Sequence, residues 1–347
     1  MRTFRLTLIG FGNVGQGFAQ ILHEQGRELA RQFQVDFKIV AVSDFLKGSI
    51  YNPEGFAPAD LLDTVKAGRS LETLPATSCG WDAEQTILNC NADAMLQLSY
   101  TDLKTGEPAV SHMRLALQRG MHAITTNKGP IALHYPELSE LAKEHGVQIG
   151  MEGTVMSGTP TIRLATELLG AAGISKVQGI LNGTTNHILS RMSNGISYAD
   201  ALAEAQAQGY AEADPTGDVE GFDAAGKTVI LANVLMNSPI RMQDVDRQGI
   251  TDLTSADIAE AKTHGERWKL IATVEKTDEG VKASVRPTRL SIEHPLASVN
   301  GATNAITFST TLLGDVTMIG PGAGKLPTGY AILGDLLAII RTTGNIN

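Results

Sequence analysis

The first apolar residues of the chain follow two different spacings, and a glycine-rich segment separates them. Residues 4–9 have the alternation of a buried strand, and apolar residues between 14 and 22 recur every three or four positions, as on one face of a helix. The segment between them reads GFGNVG, with the spacing G-x-G-x-x-G. Gly10 permits a tight turn, Gly12 lets the backbone approach a pyrophosphate, and Gly15 allows close helix packing. This order of strand, turn and helix predicts a dinucleotide-binding unit.

The second predicted strand, residues 37–43, ends at Asp44. An acidic side chain at this position hydrogen-bonds the adenosine ribose hydroxyls of NAD, which favours NAD over NADP. Ser43 and Lys47 could still receive the 2′-phosphate of NADP, so the cofactor preference stays open. A simpler interpretation makes Asp44 a turn residue that ends a strand.

The alternation of strands and helices continues to the middle of the chain and predicts a parallel sheet. Helices are predicted over 111–118 and 136–144, and strands over 122–126 and 147–151. Ligands bind at the carboxyl ends of the strands in such sheets, which places the sequence TTNKGP at the site. We therefore expect Lys128 to project from a loop tip toward the cofactor. The alternative is an ordinary exposed lysine.

The composition changes near residue 151, where small residues become frequent. A helix is predicted over 161–169 and a strand over 177–181, with further strands near 268–274 and 282–285. This mixture predicts a second domain of α+β type. The fold class expected for the whole chain is therefore α/β, with a Rossmann-type parallel sheet followed by an α+β domain.

The length of 347 residues is that of two ordinary domains. We expect a dinucleotide-binding domain over residues 1–150 and a second domain over residues 151–324. The apolar helix predicted at about 325–347 is expected to return to the nucleotide-binding sheet.

Residues 209–227 are unusually acidic: they hold five carboxylates and a single lysine. A helix is predicted over 223–236, so Asp223 and Lys227 lie four residues apart, on the same face. A carboxylate in that position can orient a lysine and adjust its proton affinity. Taken alone, the spacing favours an exposed ion pair, and only the surrounding motifs favour a functional site. Asp214 and Asp218 are expected to organise the loop through local hydrogen bonds.

The formal net charge of −9 argues against nucleic acid, because no basic cluster is present to neutralise phosphates. The N-terminal apolar run is short and is interrupted by Arg5, so we expect no membrane segment and a cytoplasmic protein. Cys79 and Cys90 are expected to be reduced thiols. No zinc or iron motif occurs among the histidines, and His187 is expected to make a structural hydrogen bond rather than to contact a ligand.

Seven segments together resemble homoserine dehydrogenases over essentially the whole chain. Each of the segments occurs in the order found in that family: GFGNVG at 10–15, TGEPAVSHMRLALQRGMHAITTNKGP at 105–130, EGTVMSGTP at 152–160, GILNGTTNHIL at 179–189, the acidic segment at 209–227, HPLASVNGATNAI at 294–306 and GPGAGKLPTGYAILGDLL at 320–337. The resemblance implies reversible, NAD(P)-dependent interconversion of L-aspartate 4-semialdehyde and L-homoserine, on the route to threonine and methionine. It also implies a homodimer formed through the second domain, which would carry the catalytic residues.

The resemblance also implies roles for individual residues. Lys227 matches the family residue that donates and accepts the proton at the substrate oxygen. Asp223 matches the residue that holds both the substrate and this lysine, and Lys128 matches the lysine on the other side of the site. Glu212 is similar to the carboxylate that receives the substrate ammonium group, and Thr184 to another substrate contact. The cofactor contacts implied in the same way are Gly10, Gly12, Asn13, Val14, Gly15, Asp44, Ser99, Lys128, Gly209 and Gly322.

The loop at residues 152–160 is similar to the family's site for a monovalent cation, usually sodium. The implied ligands are Glu152 and the carbonyl groups of Val155, Ser157 and Thr159. Oxygen ligands suit such a hard cation. The alternative is a turn that only links two domains.

Two departures from the family pattern affect these expectations. Leu98-Ser99-Tyr100-Thr101 stands where the family often has a Thr-Pro-Thr-like turn, which leaves the nicotinamide contacts there open, although Ser99 and Thr101 retain hydroxyl groups. The regulatory and kinase domains of some relatives do not occur in the sequence, so threonine feedback through such a domain is not expected.

Two other functions remain compatible with the residues. One is a dehydrogenase for another small amino-acid aldehyde or a hydroxy acid. Glu212 argues against a substrate without an ammonium group, because such a substrate would leave its carboxylate unpaired. The other is a non-catalytic NAD(P)-binding sensor that keeps only the fold. Lys128, Glu212, Asp223 and Lys227 together argue against the sensor.

Overall fold

The computed structural model describes residues 1–344, which form two compact units. The first unit contains Met1–Gly158 and the segment that starts at Gly324, and the second contains Thr159–Ala323. In the part of the chain that is described, no helix has the length and apolar character needed to cross a membrane.

The first unit is a Rossmann-type layer of strands and helices. In chain order its elements are β1 (Arg2–Ile9), α1 (Asn13–Phe33), β2 (Val35–Asp44), β3 (Gly48–Phe56), α2 (Pro58–Lys66), β4 (Ser78–Cys79), α3 (Ala83–Asn89), β5 (Ala94–Gln97), α4 (Ala109–Gln118), β6 (His122–Thr125), α5 (Lys128–Glu144) and β7 (Ile149–Gly150). The sheet order is β4-β3-β2-β1-β5-β6-β7. Strands β2, β1, β5, β6 and β7 pair in parallel, as the sequence predicts, and β3 and β4 add an antiparallel edge.

The second unit combines helices with a sheet that is antiparallel except for the short parallel pairing of β9 with β11. Its elements are α6 (Thr161–Arg163), β8 (Ile174–Ile180), α7 (Gly183–Ser193), α8 (Tyr198–Ala207), α9 (Thr216–Val219), α10 (Phe222–Leu235), β9 (Asp246–Arg247), α11 (Ser255–Thr263), β10 (Glu266–Thr277), β11 (Gly280–Ser291), β12 (Thr303–Thr310) and β13 (Gly314–Pro321). The sheet order is β13-β12-β8-β10-β11-β9. The last helix of the chain, α12 (Lys325–Thr343), belongs to the first unit.

Two glycines allow α12 to pack closely on α1. A β-carbon at Gly17 would lie 2.2 Å from the carbonyl oxygen of Lys325, and one at Gly329 would lie 2.7 Å from the backbone of Gly17. Apolar residues of α12, including Ile332 and Leu336, join the core formed by α1 and the strands. The terminal helix therefore completes the hydrophobic core of the dinucleotide-binding fold.

The two faces of the second sheet differ in polarity. Val177, Val274 and Phe308 are opposite one another in the register and are almost completely buried. Their neighbours Gln178 and Thr273, which point to the other face, are half-buried and polar. Helices α7, α10 and α11 contact the strands β10 and β11 or β12. One face of the sheet therefore lies under helices.

Three predicted elements differ from the structure. Helix α5 begins at Lys128, with Asn127 as its N-cap, although the sequence suggested a start at Pro136. Proline is favoured in the first turn of a helix, which explains the wrong start, but here Pro136 lies in the helix interior. The helix predicted over 161–169 continues from α6 as a π-helix over Leu164–Leu168. The strand predicted over 147–151 shortens to β7.

Candidate functional site

The residues predicted to bind the dinucleotide meet at the carboxyl ends of the central strands of the first sheet. The chain leaves β1 toward β2 on one side and reaches β5 on the other, so the crevice between β1 and β5 is where an open α/β sheet binds its ligand. Backbone hydrogen bonds join the strand ends beside this crevice: the amide of Gly10 donates to the carbonyl of Ser43, and the amide of Leu98 donates to that of Ile9.

The three glycines of the turn have different roles in the structure. Gly10 has φ +99°, and a β-carbon there would lie 2.7 Å from the carbonyl oxygen of Leu98. A β-carbon at Gly15 would lie 3.0 Å from the carbonyl of Gly10. At Gly12 it would meet no atom within 4 Å, because Gly12 faces open space at the N-terminus of α1. The first N–H groups of a helix lack partners within it, so Asn13, Val14 and this space together fit a pyrophosphate.

Asp44 is anchored by the backbone around it. One carboxylate oxygen accepts a hydrogen bond of 2.7 Å from the amide of Phe11, and the other accepts from the amides of Leu46 and Lys47 at 3.0 and 2.9 Å. The Lys47 ammonium lies 3.6 Å from the same carboxylate. Asp44 therefore fixes the turn that follows β1, and its charge stays at the end of β2, where the sequence predicts the ribose.

Lys128 is the first residue of α5. The prediction that it lies at the tip of a loop is therefore wrong. The Asn127 side chain caps the helix by accepting from the amide of Gly129 at 3.0 Å. Its amide nitrogen also donates to the carbonyl of Tyr100 at 2.5 Å, which ties the start of α5 to the segment after β5. The Ser99 hydroxyl in that segment is buried and has no hydrogen-bond partner in the described structure. A ligand hydrogen bond would satisfy it.

Lys227 and Asp223 form a largely buried pair on α10. The lysine ammonium donates to the Asp223 carboxylate at 2.6 Å and to the carbonyl of Leu181 at 2.7 Å. Only 11% of the lysine side chain and 23% of the aspartate side chain are exposed. The carbonyl of Leu181 is available because β8 ends one residue earlier. The geometry is therefore that of a positioned lysine rather than of a solvated surface pair.

Asp218 belongs to the same network, although the sequence suggested only a loop-organising role. The Asn182 side chain donates to Asp218 at 2.6 Å and to Asp223 at 3.0 Å. Burial raises the pKa of Asp218, a hydrogen bond from Asn182 opposes that shift, and the Asp223 carboxylate adds to it. Neither the pairing nor the burial has a signature in the sequence, because Asn182 reaches the acidic segment only through the fold.

Thr184 lies at the start of α7, beside this network. Its hydroxyl donates to the carbonyl of Tyr210 at 2.6 Å, and the Tyr210 ring packs edge-on against His187 at 5.2 Å. Burial lowers the pKa of His187, and its Nε2 atom is buried with no hydrogen-bond partner in the described structure. The predicted structural hydrogen bond of His187 is therefore not made through Nε2.

Glu212, which was predicted to bind the substrate, lies apart from this network. Its side chain is exposed, and in residues 1–344 its carboxylate has no hydrogen-bond or ion-pair partner. Gln206 donates to its backbone carbonyl at 3.1 Å, which fixes the loop. A carboxylate displayed in this way can receive a cationic group.

Gly209 and Gly322 occupy positions that require glycine. Gly209 has φ +73° and ends α8, where its amide donates to the carbonyl of Gln206. A β-carbon at Gly322 would lie 2.2 Å from the side chain of Asn304. Asn304 is fully buried, and within the described residues neither polar atom of its side chain has a partner.

Residues 152–158 form a tight turn with two non-glycine residues in the left-handed region. Met156 has φ 57° and Ser157 has φ 55°, a conformation that costs free energy and persists mainly at functional positions. Glu152 is 1% exposed, and its amide donates to Asp335 at 3.0 Å. In the second unit, the carbonyl of Thr159 already accepts from the amide and hydroxyl of Thr161. No group of three His, Cys, Asp or Glu side chains suited to a metal occurs among the described residues.

Comparisons with known proteins cover the whole chain. The family profile described as homoserine dehydrogenase matches residues 160–337, and one described as glutamate/leucine/phenylalanine/valine dehydrogenase matches residues 1–97. The chain is 44% identical over 340 residues to the NAD(+)-dependent homoserine dehydrogenase of Pseudomonas canavaninivorans, covering 98% of this chain and 97% of that protein. It is 35% identical over 339 residues to the homoserine dehydrogenase of Methanocaldococcus jannaschii, with coverages of 97% and 99%.

A solved structure agrees with these matches. It is described as a hyperthermophilic archaeal homoserine dehydrogenase in complex with NADPH. The TM-score is 0.83 at 30% identity, and the alignment covers 99% of this chain and 100% of that one.

A dinucleotide-binding sheet followed by a unit that buries an acid–lysine pair is the arrangement of an NAD(P)-dependent oxidoreductase. Sequence identity to homoserine dehydrogenases along nearly the full chain then identifies the family within this class. The chain belongs to the homoserine dehydrogenase family. The predicted fold class, activity and type of cofactor are confirmed.

Proposed function

We propose that the chain interconverts L-homoserine and L-aspartate 4-semialdehyde, with Lys227 as the group that gives and takes the proton at the substrate oxygen. The observation that carries this assignment is the geometry of Lys227. An ammonium group has three N–H donors, and two of them are directed to Asp223 and the carbonyl of Leu181. The third remains for a substrate oxygen, and the other two fix its direction.

The remaining residues act on the substrate around this lysine. The bound nicotinamide supplies or accepts the hydride at the substrate carbon. During reduction, the Lys227 ammonium stabilises the negative charge that develops on the substrate oxygen and then transfers a proton to it. We assign Lys128 a second positive charge near that oxygen. Asp223 holds the lysine in place, and Asn182 donates to the same carboxylate oxygen of Asp223.

The exposed carboxylate of Glu212 is proposed to receive the substrate ammonium group. This pairing separates homoserine from hydroxy acids, which would leave the carboxylate without a partner. Thr184 is proposed as a further substrate contact, because its hydroxyl lies at the N-terminus of α7, next to Tyr210. The partly positive end of a helix favours the substrate carboxylate.

The first unit is proposed to hold the cofactor and to prefer NAD. The open space beside Gly12 and the unsatisfied Ser99 hydroxyl both fit a bound dinucleotide. Three backbone amides fix the Asp44 carboxylate, so it cannot turn away from a 2′-phosphate and would repel it. A relative described as NAD(+)-dependent supports this preference, although a neighbour was solved with NADPH. Gly209 and Gly322 are proposed as further backbone contacts.

The turn at residues 152–158 is proposed to bind a monovalent cation through Glu152 and the carbonyl groups of Val155 and Ser157. Two consecutive left-handed residues redirect successive carbonyl groups, as a cation site requires. The Thr159 carbonyl is the weakest of the proposed ligands because it already accepts two hydrogen bonds. We propose sodium as the cation and the cytoplasm as the location.

A homodimer is proposed to form through the polar face of the second sheet. Gln178, Thr273 and Ser284 are register neighbours on this face and remain half-buried. A second copy of the same face would cover them by a two-fold arrangement.

Substitution of Lys227 tests the proposed mechanism. Lys227→Ala should lower kcat by at least ~10²-fold, since general acid–base catalysis contributes that much, and should leave the dissociation constant for the cofactor unchanged. The matched control is Asp214→Asn, from the same acidic segment, whose carboxylate accepts only from Thr216. That variant should keep kcat near that of the unmodified chain. Turnover by Lys227→Ala close to the control would remove Lys227 from the mechanism.

A further inference from the structure

A cavity of about 430 Å³ opens in the second unit at the end of α7 that lies away from Thr184. Residues from α7, α11 and the start of β10 line it, including Ser190, Ser193, Lys262, Arg267, Trp268 and Asn300. The volume is within the range of small-molecule sites. None of the residues assigned above to substrate, cofactor or cation lines it.

The charges around this cavity do not balance. Lys262 and Arg267 have no carboxylate within ion-pair distance in residues 1–344, and Arg267 makes only long contacts to the carbonyl of Ala297 and the side chain of Asn300. Glu266 is the acidic residue in the lining, but Arg289 already binds it at 2.6 Å. The lining therefore carries two cations without counter-ions.

A third cation lies directly behind the wall. Lys269 is 2% exposed, and its ammonium donates to the Asn186 side chain at 2.9 Å and to the carbonyl of Val299. Ser190, in the lining, donates to the carbonyl of Asn186 at 2.6 Å, so the wall and the buried lysine share one network. A buried charge that is not paired costs free energy, and an anion in the cavity would recover part of it.

Helices α7 and α11 both end at this cavity, so their partly negative ends work against an anion, and the two cations have to offset them. Hydrogen bonds satisfy some of the last carbonyl groups. The carbonyl of Arg191, near the end of α7, accepts from the amide of Asn194, and the carbonyl of Lys262, near the end of α11, accepts from that of Gly265. The Trp268 ring is fixed because its Nε1 donates to the carbonyl of Asp257 at 3.1 Å. The cavity thus offers a rigid apolar surface next to two cations.

We propose that this cavity is a binding site for a small organic anion, whose carboxylate or phosphate group is held by Lys262 and Arg267 while its apolar part rests on Trp268. The site is separate from the substrate site and lies at the opposite end of the same helix. Ligand binding there would stabilise α7, whose first turn carries Asn182 and Thr184.

Tryptophan fluorescence tests the site directly. The chain has two tryptophans, so Trp81→Phe leaves Trp268 as the single tryptophan, which can be excited selectively at the red edge of the absorption band. In this background, succinate or inorganic phosphate, titrated at constant ionic strength, should change the emission saturably, and neutral succinamide should not. Succinate and phosphate distinguish a carboxylate ligand from a phosphate ligand. Arg267→Ala and Lys262→Ala should each weaken binding roughly tenfold, the cost of one charged hydrogen bond.

The control is Lys276→Ala, which removes an exposed positive charge from the other end of β10. It should leave the affinity unchanged. The proposal is overturned if neither anion gives a saturable change up to about 50 mM, well above the concentrations that a specific site needs. It is also overturned if the two cavity variants bind as tightly as the control, or if they alter only the oligomeric mass, since the cavity would then be a contact between copies.

Discussion

Lys227 and Lys269 are both buried lysines, but they have opposite electrostatic surroundings. Lys227 is paired with Asp223 at 2.6 Å, which suits a group that must stay charged and oriented during proton transfer. Lys269 donates only to neutral oxygens, and burial lowers its pKa from 10.5 to about 8. The first lysine therefore suits the proposed proton transfer, whereas the burial of the second costs free energy that a bound anion could reduce.

This cost predicts an unusual dependence of stability on pH. Because the pKa of Lys269 is lower in the folded chain, the unfolded chain binds more protons between pH 8 and 10.5. The free energy of unfolding should therefore rise with pH through this window, by about 3 kcal/mol relative to Lys269→Met. Urea denaturation at a series of pH values measures the difference. Parallel pH curves for the two proteins would contradict the assignment.

At the residue scale, the sequence predicted the pairs that depend on local spacing. Asp223 and Lys227 lie one helical turn apart, so any helix brings them together. Asp218 was underestimated because its partner Asn182 is distant in the chain and reaches it only when β8 and α9 assemble. The loop position of Lys128 was wrong because the capping hydrogen bonds of Asn127 outweighed the signal from Pro136.

At the scale of elements, the alternation of strands and helices was sufficient to predict the parallel sheet. The antiparallel edge formed by β3 and β4 was not predicted, since edge pairing depends on which strand comes within reach. The strand order of the second sheet was harder to predict than that of the first. Its neighbours β8 and β12 are more than one hundred residues apart in the chain, and no local pattern encodes such pairing.

The glycine turn gives a matched pair of variants at this scale. Gly10→Ala should lower the free energy of unfolding by about 2 kcal/mol, because alanine is strained at φ +99° and its β-carbon would collide with Leu98. Gly12→Ala should keep the stability, since its β-carbon enters open space, but should weaken dinucleotide binding by roughly tenfold or more. Thermal denaturation and cofactor titration separate the two effects. Equal loss of stability in both variants would count against this division of roles.

At the scale of the whole molecule, two units divide the work. In the proposed function, the first supplies a dinucleotide site at the ends of its central strands, and the second supplies an anchored lysine and a sheet with a polar face. The proposed dimer uses that face, so the mass in solution should be about twice 36.8 kDa.

Light scattering, which measures the mass in solution, tests the dimer when a charged residue is introduced on the polar face. Thr273→Arg would put like charges near each other across the two-fold axis and should give monomers. Thr263→Arg makes the same substitution at the exposed end of α11 and should leave the dimer intact. A monomeric unmodified chain, or a dimer that persists in Thr273→Arg, would reject this interface.

The first measurement to make is absorbance at 340 nm, which follows oxidation of L-homoserine with NAD or NADP in parallel reactions and so tests the proposed dehydrogenase activity. L-serine and L-malate serve as controls. We expect homoserine-dependent reduction of the cofactor, with kcat/KM higher for NAD than for NADP. No reduction with homoserine, and no oxidation of NADH or NADPH with L-aspartate 4-semialdehyde, would contradict it.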